Sequence, residues 1–187
     1  MKRKREAVFI DRDGVINHCP DNRYITDWSE FRFLPGSVRA LKQLKQAGKL
    51  ILIISNQACV GRGLITHRKL QQITRNMLGA ARAKGAKIDA VYYCIHRSEE
   101  GCSCRKPKPG MLHRAGRRFP IDWDRSFFIG DHETDIQAGQ AAGLQTILVL
   151  SGRQTHSGAR RMPVKPDWIV DDLRAAAKKI LSDRTCR

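Results

Sequence analysis

A chain of 187 residues with 35 Lys and Arg against 18 Asp and Glu, a formal net charge of +17, suits one domain that buries most of the surface its unfolded form exposes. No apolar run approaches the ~18 residues of a membrane span and "MKRKREAVFI" has no signal-peptide core, so the expectation is a single cytoplasmic domain over 1–187, monomeric, with no membrane partner. The positive charge favours phosphates, nucleic acids and acidic surfaces and is silent on fold; "KRKR" at 2–5 and the acid-free "RQTHSGARRMPVK" at 153–165 read first as solvated faces and a flexible loop, and second as a nucleic-acid footprint.

In chain order, short apolar runs alternate with helical patterns. "AVFI" at 7–10, "LILII" at 50–54, "IDAVYYC" at 88–94, "SFFI" at 126–129 and "QTILVL" at 145–150 read as strands, with "WIV" at 168–170 as a final edge strand. Helices are expected near 36–47, 66–84, 110–118, 133–142 and 172–182. Thr66 is placed to cap the second, Pro109 and Gly110 introduce the third, and Gly48 and Gly85 sit where C-terminal caps belong. Strands without polar alternation imply an α/β fold, a Rossmann-like parallel sheet with helices on both faces. Ligands of such sheets bind at the carboxyl ends of the strands.

Polar chemistry follows four of those strands. Asp11 and Asp13 follow the first; Ser55, Asn56 and Gln57 the second; a Cys/His cluster and "RKPKPG" at 105–110 the third; "GDHETD" at 130–135 the fourth. Two adjacent carboxylates persist only where a cation neutralises them or one holds a proton. With Asp131 and Asp135 on the same rim, Mg²⁺ fits as a hard cation that keeps places for water and a phosphate oxygen, and Arg105 and Lys106 supply fixed positive charge. Acids with a metal on one side and cations on the other bracket a phosphoryl group. Asp11 is then the nucleophile, forming an aspartyl phosphate, and Asp13 protonates the leaving oxygen and later deprotonates the hydrolytic water.

Six cysteines are present: 19, 59, 94, 102, 104 and 186. Cys94-x-His96 and Cys102-x-Cys104 give four soft ligands within eleven residues, a closed set for structural zinc, weighed against free thiols or a regulatory disulfide. Zinc there fixes the loop leading into Arg105 and Lys106. Cys19 and Cys59 read as small packing residues, and Trp28, Phe31 and Phe33 as anchors of the first loop.

"DRDGVIN", "SNQ", "RKPKPG" and "GDHETD", in that order between Val8 and Leu150, resemble the four motifs of the haloacid-dehalogenase (HAD) superfamily phosphatases. The resemblance implies Mg²⁺ held by the Asp11 carboxylate, the Asp13 backbone carbonyl and the Asp131 carboxylate, with Asp135 in support and Ser55 and Lys106 steadying the phosphoryl group. The Cys/His loop running into "RKP" resembles the D,D-heptose 1,7-bisphosphate phosphatases and the histidinol-phosphate phosphatases. "GRG", "YYC" and "RKPKPGML" are similar to the heptose enzymes, and the short five-residue spacing inside the zinc loop is similar to the histidinol ones. Lys or Arg commonly follows the motif-four aspartate there; His132 stands in that place. Carried across, substrate contacts fall to Arg12, Asn17 onward to Tyr24, Asn56, Gln57, Arg105 and His132. No insertion is large enough for a cap domain, so residues 17–35 and the zinc loop must enclose the substrate.

The expected substrate is a sugar bisphosphate, with the 7-phosphate of a manno-heptose 1,7-bisphosphate removed for cell-envelope glycan synthesis. Histidinol phosphate and nucleic-acid 3'-phosphates are the alternatives. A pure zinc-stabilised nucleic-acid binder fits worst, because it needs neither Asp11 nor Asp13.

Overall fold

A computed structural model of the chain describes residues 3–19 and 24–182. Among them six strands form one parallel sheet, β1 (Ala7–Ile10), β2 (Leu50–Asn56), β3 (Ala90–Cys94), β4 (Phe127–Gly130), β5 (Gln145–Val149) and β6 (Trp168–Val170), in the order β3-β2-β1-β4-β5-β6. The helices are α1 (Ser37–Gln46), α2 (His67–Ala83), α3 (Gly110–Arg118), α4 (Glu133–Ala141), α5 (His156–Arg161) and α6 (Leu173–Ser182). None is long and apolar enough to cross a membrane among the described residues.

The strand runs are apolar without alternation because both faces are covered. Val8, Ile10, Ile51, Ile53 and Ile129 point into one core with residues of α1, α2 and α6. Their neighbours Ala7, Phe9, Leu52, Ile54 and Phe128 point into the other with Met111, Leu112 and Ala115 of α3. Successive side chains of a strand face opposite ways, so each four-residue run feeds two cores.

Local signals act as expected. The Thr66 side chain accepts the Lys69 N–H, while Gly48 and Gly85 close α1 and α2 in the left-handed region. β3 begins later than the sequence suggests, because Asp89 Oδ2 accepts the Ile51 N–H at 2.8 Å and its carboxylate pairs with Lys45. The basic 153–165 run contains α5, where a loop was expected; Thr155 caps it, and buried Ala159 and Met162 dock it on Ile136 and Leu148.

Strand register fixes the rim. Ile10 lies beside Ile53 and Ile129, so Asp11 emerges next to the ends of both β2 and β4, and its N–H bonds Ile129 O at 2.9 Å. Among the described residues the connections after β1 and β3 contain only single 3₁₀ turns, at Trp28–Glu30 and Ser98–Glu100, and no cap domain. Trp28 stacks on Phe31 at 4.9 Å, Phe33 meets Phe31 edge to face at 5.1 Å, and the three pin the first connection to the core.

Candidate active site

A cavity of about 350 Å³ opens at the carboxyl ends of the strands, where Asp11, Ser55, Lys106, Asp131 and Asp135 converge. Lys106 is 4% exposed, and its ammonium touches Asp11 Oδ1 at 2.9 Å, Asp135 Oδ1 at 2.6 Å and Ile54 O at 3.0 Å. Asn56 brackets the Lys106 backbone, accepting its N–H and donating to its carbonyl, both at 3.1 Å. The ammonium charge is thereby fixed by β2 as well as by its own loop.

Two buried acids, Asp11 and Asp135, share that ammonium, and a third, Asp131, lies beside them. Oxygens of Asp11, Asp131 and Asp135 all lie within 4.8 Å of one another. Burial, with the neighbouring Asp135 and Asp13 adding to it against Lys106, pushes Asp11 up to about 6. Burial, then Asp11 and Asp135, pushes Asp131 up to about 8. Asp11 Oδ1 and Asp135 Oδ1 have no hydrogen bond in the described structure, only the ion pair. A hard dication matches this donor set, since oxygens crowded beyond the reach of one lysine are stabilised by further positive charge. Asp135 is the most occupied of the three, because its Oδ2 also accepts the His132 N–H at 3.0 Å.

The backbone is shaped around Asp131. Gly14, with φ of +84°, and Gly152 both pass so close that a Cβ on either would collide with the Asp131 carboxylate. Arg153 N–H donates to Asp131 Oδ2 at 2.8 Å, and Ser151 Oγ donates to Gly14 O at 2.8 Å. The loop after β5 is therefore tied to the turn that carries Asp11 and Asp13.

Asp13 does not join the acid cluster. Arg12 donates to both of its oxygens, at 3.0 and 2.8 Å, Asn17 Nδ2 donates to Oδ1 at 2.9 Å and Gln57 Nε2 to Oδ2 at 2.7 Å. Burial works against ionisation, but Arg12 and these donors hold Asp13 below the usual carboxylate range. Each of the two neighbouring acids thus has its own cation, Lys106 for Asp11 and Arg12 for Asp13.

Arg12, Asn17 and Gln57 were expected against the substrate; here all three are buried, and each donates a side-chain N–H to Asp13. Ser55 Oγ accepts from Gln57 at 3.0 Å. Tyr24, Asn56, Arg105 and His132 do line the cavity. His132 Nδ1 accepts the Thr134 N–H at 3.3 Å as the cap of α4, and burial, with Arg153 and Lys106 nearby, keeps it less basic than an ordinary histidine. It offers a neutral ring where a lysine would offer charge. Residues 20–23 of the expected enclosing segment, and Cys186, lie outside the described residues.

Cys19, within the expected 17–24 contact segment yet read as a packing residue, lines the cavity, and so does Arg153, which was read as part of a solvated basic run. Ser98, in the loop between His96 and Cys102, lines it as well.

Cys94, His96, Cys102 and Cys104 form a second cluster that leads straight into Arg105. Their ligand atoms lie 3.3 to 3.6 Å apart in the five pairs that touch. A tetrahedral zinc with ~2.3 Å bonds to sulfur needs sulfur atoms about 3.8 Å apart, so the set fits with a slight expansion. Burial and the Cys104 neighbour push Cys94 up to about 12, whereas Cys102 sits at about 7, its burial outweighed by hydrogen bonds from Cys104 and Cys94. Three thiols this close ionise together only around a cation.

A model of the HAD-hydrolase-like family matches residues 103–176. The D-glycero-beta-D-manno-heptose-1,7-bisphosphate 7-phosphatase of Pasteurella multocida is 38% identical over 175 residues, 89% of this chain and 94% of that protein. Its namesake from Pseudomonas putida is 34% identical, covering 94% of this chain and 99% of that one. Among solved structures, D,D-heptose 1,7-bisphosphate phosphatase from B. bronchiseptica, complexed with magnesium and phosphate, superimposes with a TM-score of 0.88 at 32% identity, over 95% of this chain and 99% of that chain.

Proposed function

The chain belongs to the HAD-like phosphatases, with heptose-1,7-bisphosphate 7-phosphatases as its relatives, and from that membership we propose that it removes the 7-phosphate of D-glycero-D-manno-heptose 1,7-bisphosphate through an aspartyl phosphate. The observation that carries the reading is the position of Asp11, with one oxygen 2.9 Å from the Lys106 ammonium and within common reach of Asp131 and Asp135, at the floor of the cavity.

Asp11, Asp131 and the Asp13 backbone carbonyl would hold Mg²⁺, with Asp135 supporting, and the ion supplies positive charge beside the phosphoryl oxygens. Lys106 and Ser55 orient the phosphoryl group toward Asp11. The Asp11 oxygen attacks phosphorus, the bond from phosphorus to the C7 oxygen breaks, and that oxygen takes a proton from Asp13. Water then attacks the same phosphorus, gives its proton to Asp13, and the bond to Asp11 breaks. The donors around Asp13 favour its carboxylate, which suits this second half. For the first half, the approaching phosphate dianion raises the proton affinity of Asp13.

Cys94, His96, Cys102 and Cys104 hold structural zinc on this reading, and Arg105 meets the sugar or its second phosphate. The chain works as one cytoplasmic domain, a monomer, on a small phosphorylated metabolite. The test is phosphate release with Mg²⁺ from heptose bisphosphate, histidinol phosphate, fructose bisphosphate and a 3'-phosphorylated oligonucleotide. The heptose substrate should give the highest kcat/KM. A steeply salt-sensitive preference for the oligonucleotide would overturn the metabolite reading.

A further inference from the structure

We propose that Arg153 is a specificity residue that grips the phosphate retained on the substrate, the one not transferred to Asp11. The inference rests on the bisphosphatase reading above.

Three lysine or arginine side chains line the cavity among the described residues: Lys106, Arg105 and Arg153. They differ in what they are free to do. Lys106 is buried between Asp11 and Asp135 and is committed to the reacting end. Arg105 donates to His96 O at 3.3 Å, on the loop after β3. Arg153 stands on the loop after β5, and β3 and β5 lie on opposite sides of β1 in the sheet. The two guanidinium groups therefore flank the mouth from two directions, with the nucleophile below.

Arg153 is also anchored as a recognition residue should be. Its backbone N–H is fixed on Asp131 Oδ2 at 2.8 Å, beside the close approach of Gly152 to the same carboxylate. Its exposed side chain lies against Cys19, another residue of the cavity lining, within charge range of Asp131 and Asp11. A thiol is a weak partner that an incoming anion readily displaces. A guanidinium with a fixed base and a weakly held head is suited to a phosphate, which it meets through two parallel N–H groups.

The experiment compares Arg153→Ala, Arg153→Lys and the wild type on a bisphosphate and on the monophosphate that keeps only the transferred group. The Ala variant retains the backbone N–H on Asp131, so its chemistry should stay assembled. The ratio of the bisphosphate KM to the monophosphate KM should rise on the order of 10-fold or more in Arg153→Ala, as expected for a lost charge-assisted hydrogen bond. Arg153→Lys should recover part of it. An unchanged ratio, or equal rises in both KM values, overturns the assignment. A wild type inactive on heptose bisphosphate overturns the functional reading separately. The ratio is then read on fructose 1,6-bisphosphate against fructose 6-phosphate, where no change still rejects a role for Arg153.

Discussion

Arg12 and Asp13, neighbours in sequence, face each other as a two-pronged ion pair, Nε to Oδ1 at 3.0 Å and Nη2 to Oδ2 at 2.8 Å, with the Arg12 side chain fully buried. The pair is completed by Gln57, the residue just after β2, which accepts from Arg12 and donates to Asp13. The Asp13 carboxylate is thus held from beneath, and its orientation is set before any substrate arrives.

Arg12→Ala leaves Asp13 buried without its cation, a change that costs about 3–5 kcal/mol where one partner of a buried pair is removed. Turnover should fall by about 10²–10⁴-fold, the usual contribution of a positioned proton carrier, with kcat reduced more than KM is raised. Steady-state kinetics beside a thermal melt check both. A variant whose KM alone changes would return Arg12 to the substrate.

Asp11→Asn should abolish turnover, by at least about 10³-fold, as removal of a nucleophile does. Its thermal midpoint without Mg²⁺ should match or exceed that of the wild type, because one of three crowded carboxylates is gone. Retained turnover would remove the covalent route.

The raised acids predict a pH effect on stability. Asp11 and Asp131, at about 6 and about 8, bind protons in the folded state that an unfolded chain with an ordinary value of 3.8 has already lost. Without divalent ion, the contribution of these two acids to stability is therefore greatest at low pH and falls as pH rises from 3.8 through 8. Mg²⁺ opposes the repulsion, so the gain in thermal midpoint on adding it should be larger near pH 8 than near about pH 5. Equal gains at both would show that these acids do not share the ion.

Cys102→Ser should lower zinc content, measured by elemental analysis, and the thermal midpoint before it affects chemistry. It removes one corner of a cluster that fixes the loop into Arg105 and Lys106. A variant that keeps its zinc and its midpoint would dismiss a structural metal.

The sheet and its rim were readable because buried parallel strands leave continuous apolar runs, and the polar residue after each run marks the carboxyl end. The Cys/His cluster was readable because its four side chains are close in sequence as well as in space. The direction of Arg12, Asn17 and Gln57 was not, since a polar side chain beside a catalytic acid can point out to substrate or in beneath the acid. Only the tight turn at Gly14 and the register of β2 decide it. Arg153 and α5 were hidden for another reason. Their segment is dominated by arginines, and the two residues that dock it, Ala159 and Met162, are too few to show a period.

The most direct measurement of the central claim is chemical trapping of the intermediate. Enzyme mixed with Mg²⁺ and heptose bisphosphate is quenched with borohydride, which reduces an acyl phosphate to the alcohol, and its peptides are sequenced by mass spectrometry. Homoserine at position 11 and nowhere else is the expected result. Full phosphate release with an unmodified Asp11, or with the modification at another acid, would contradict it.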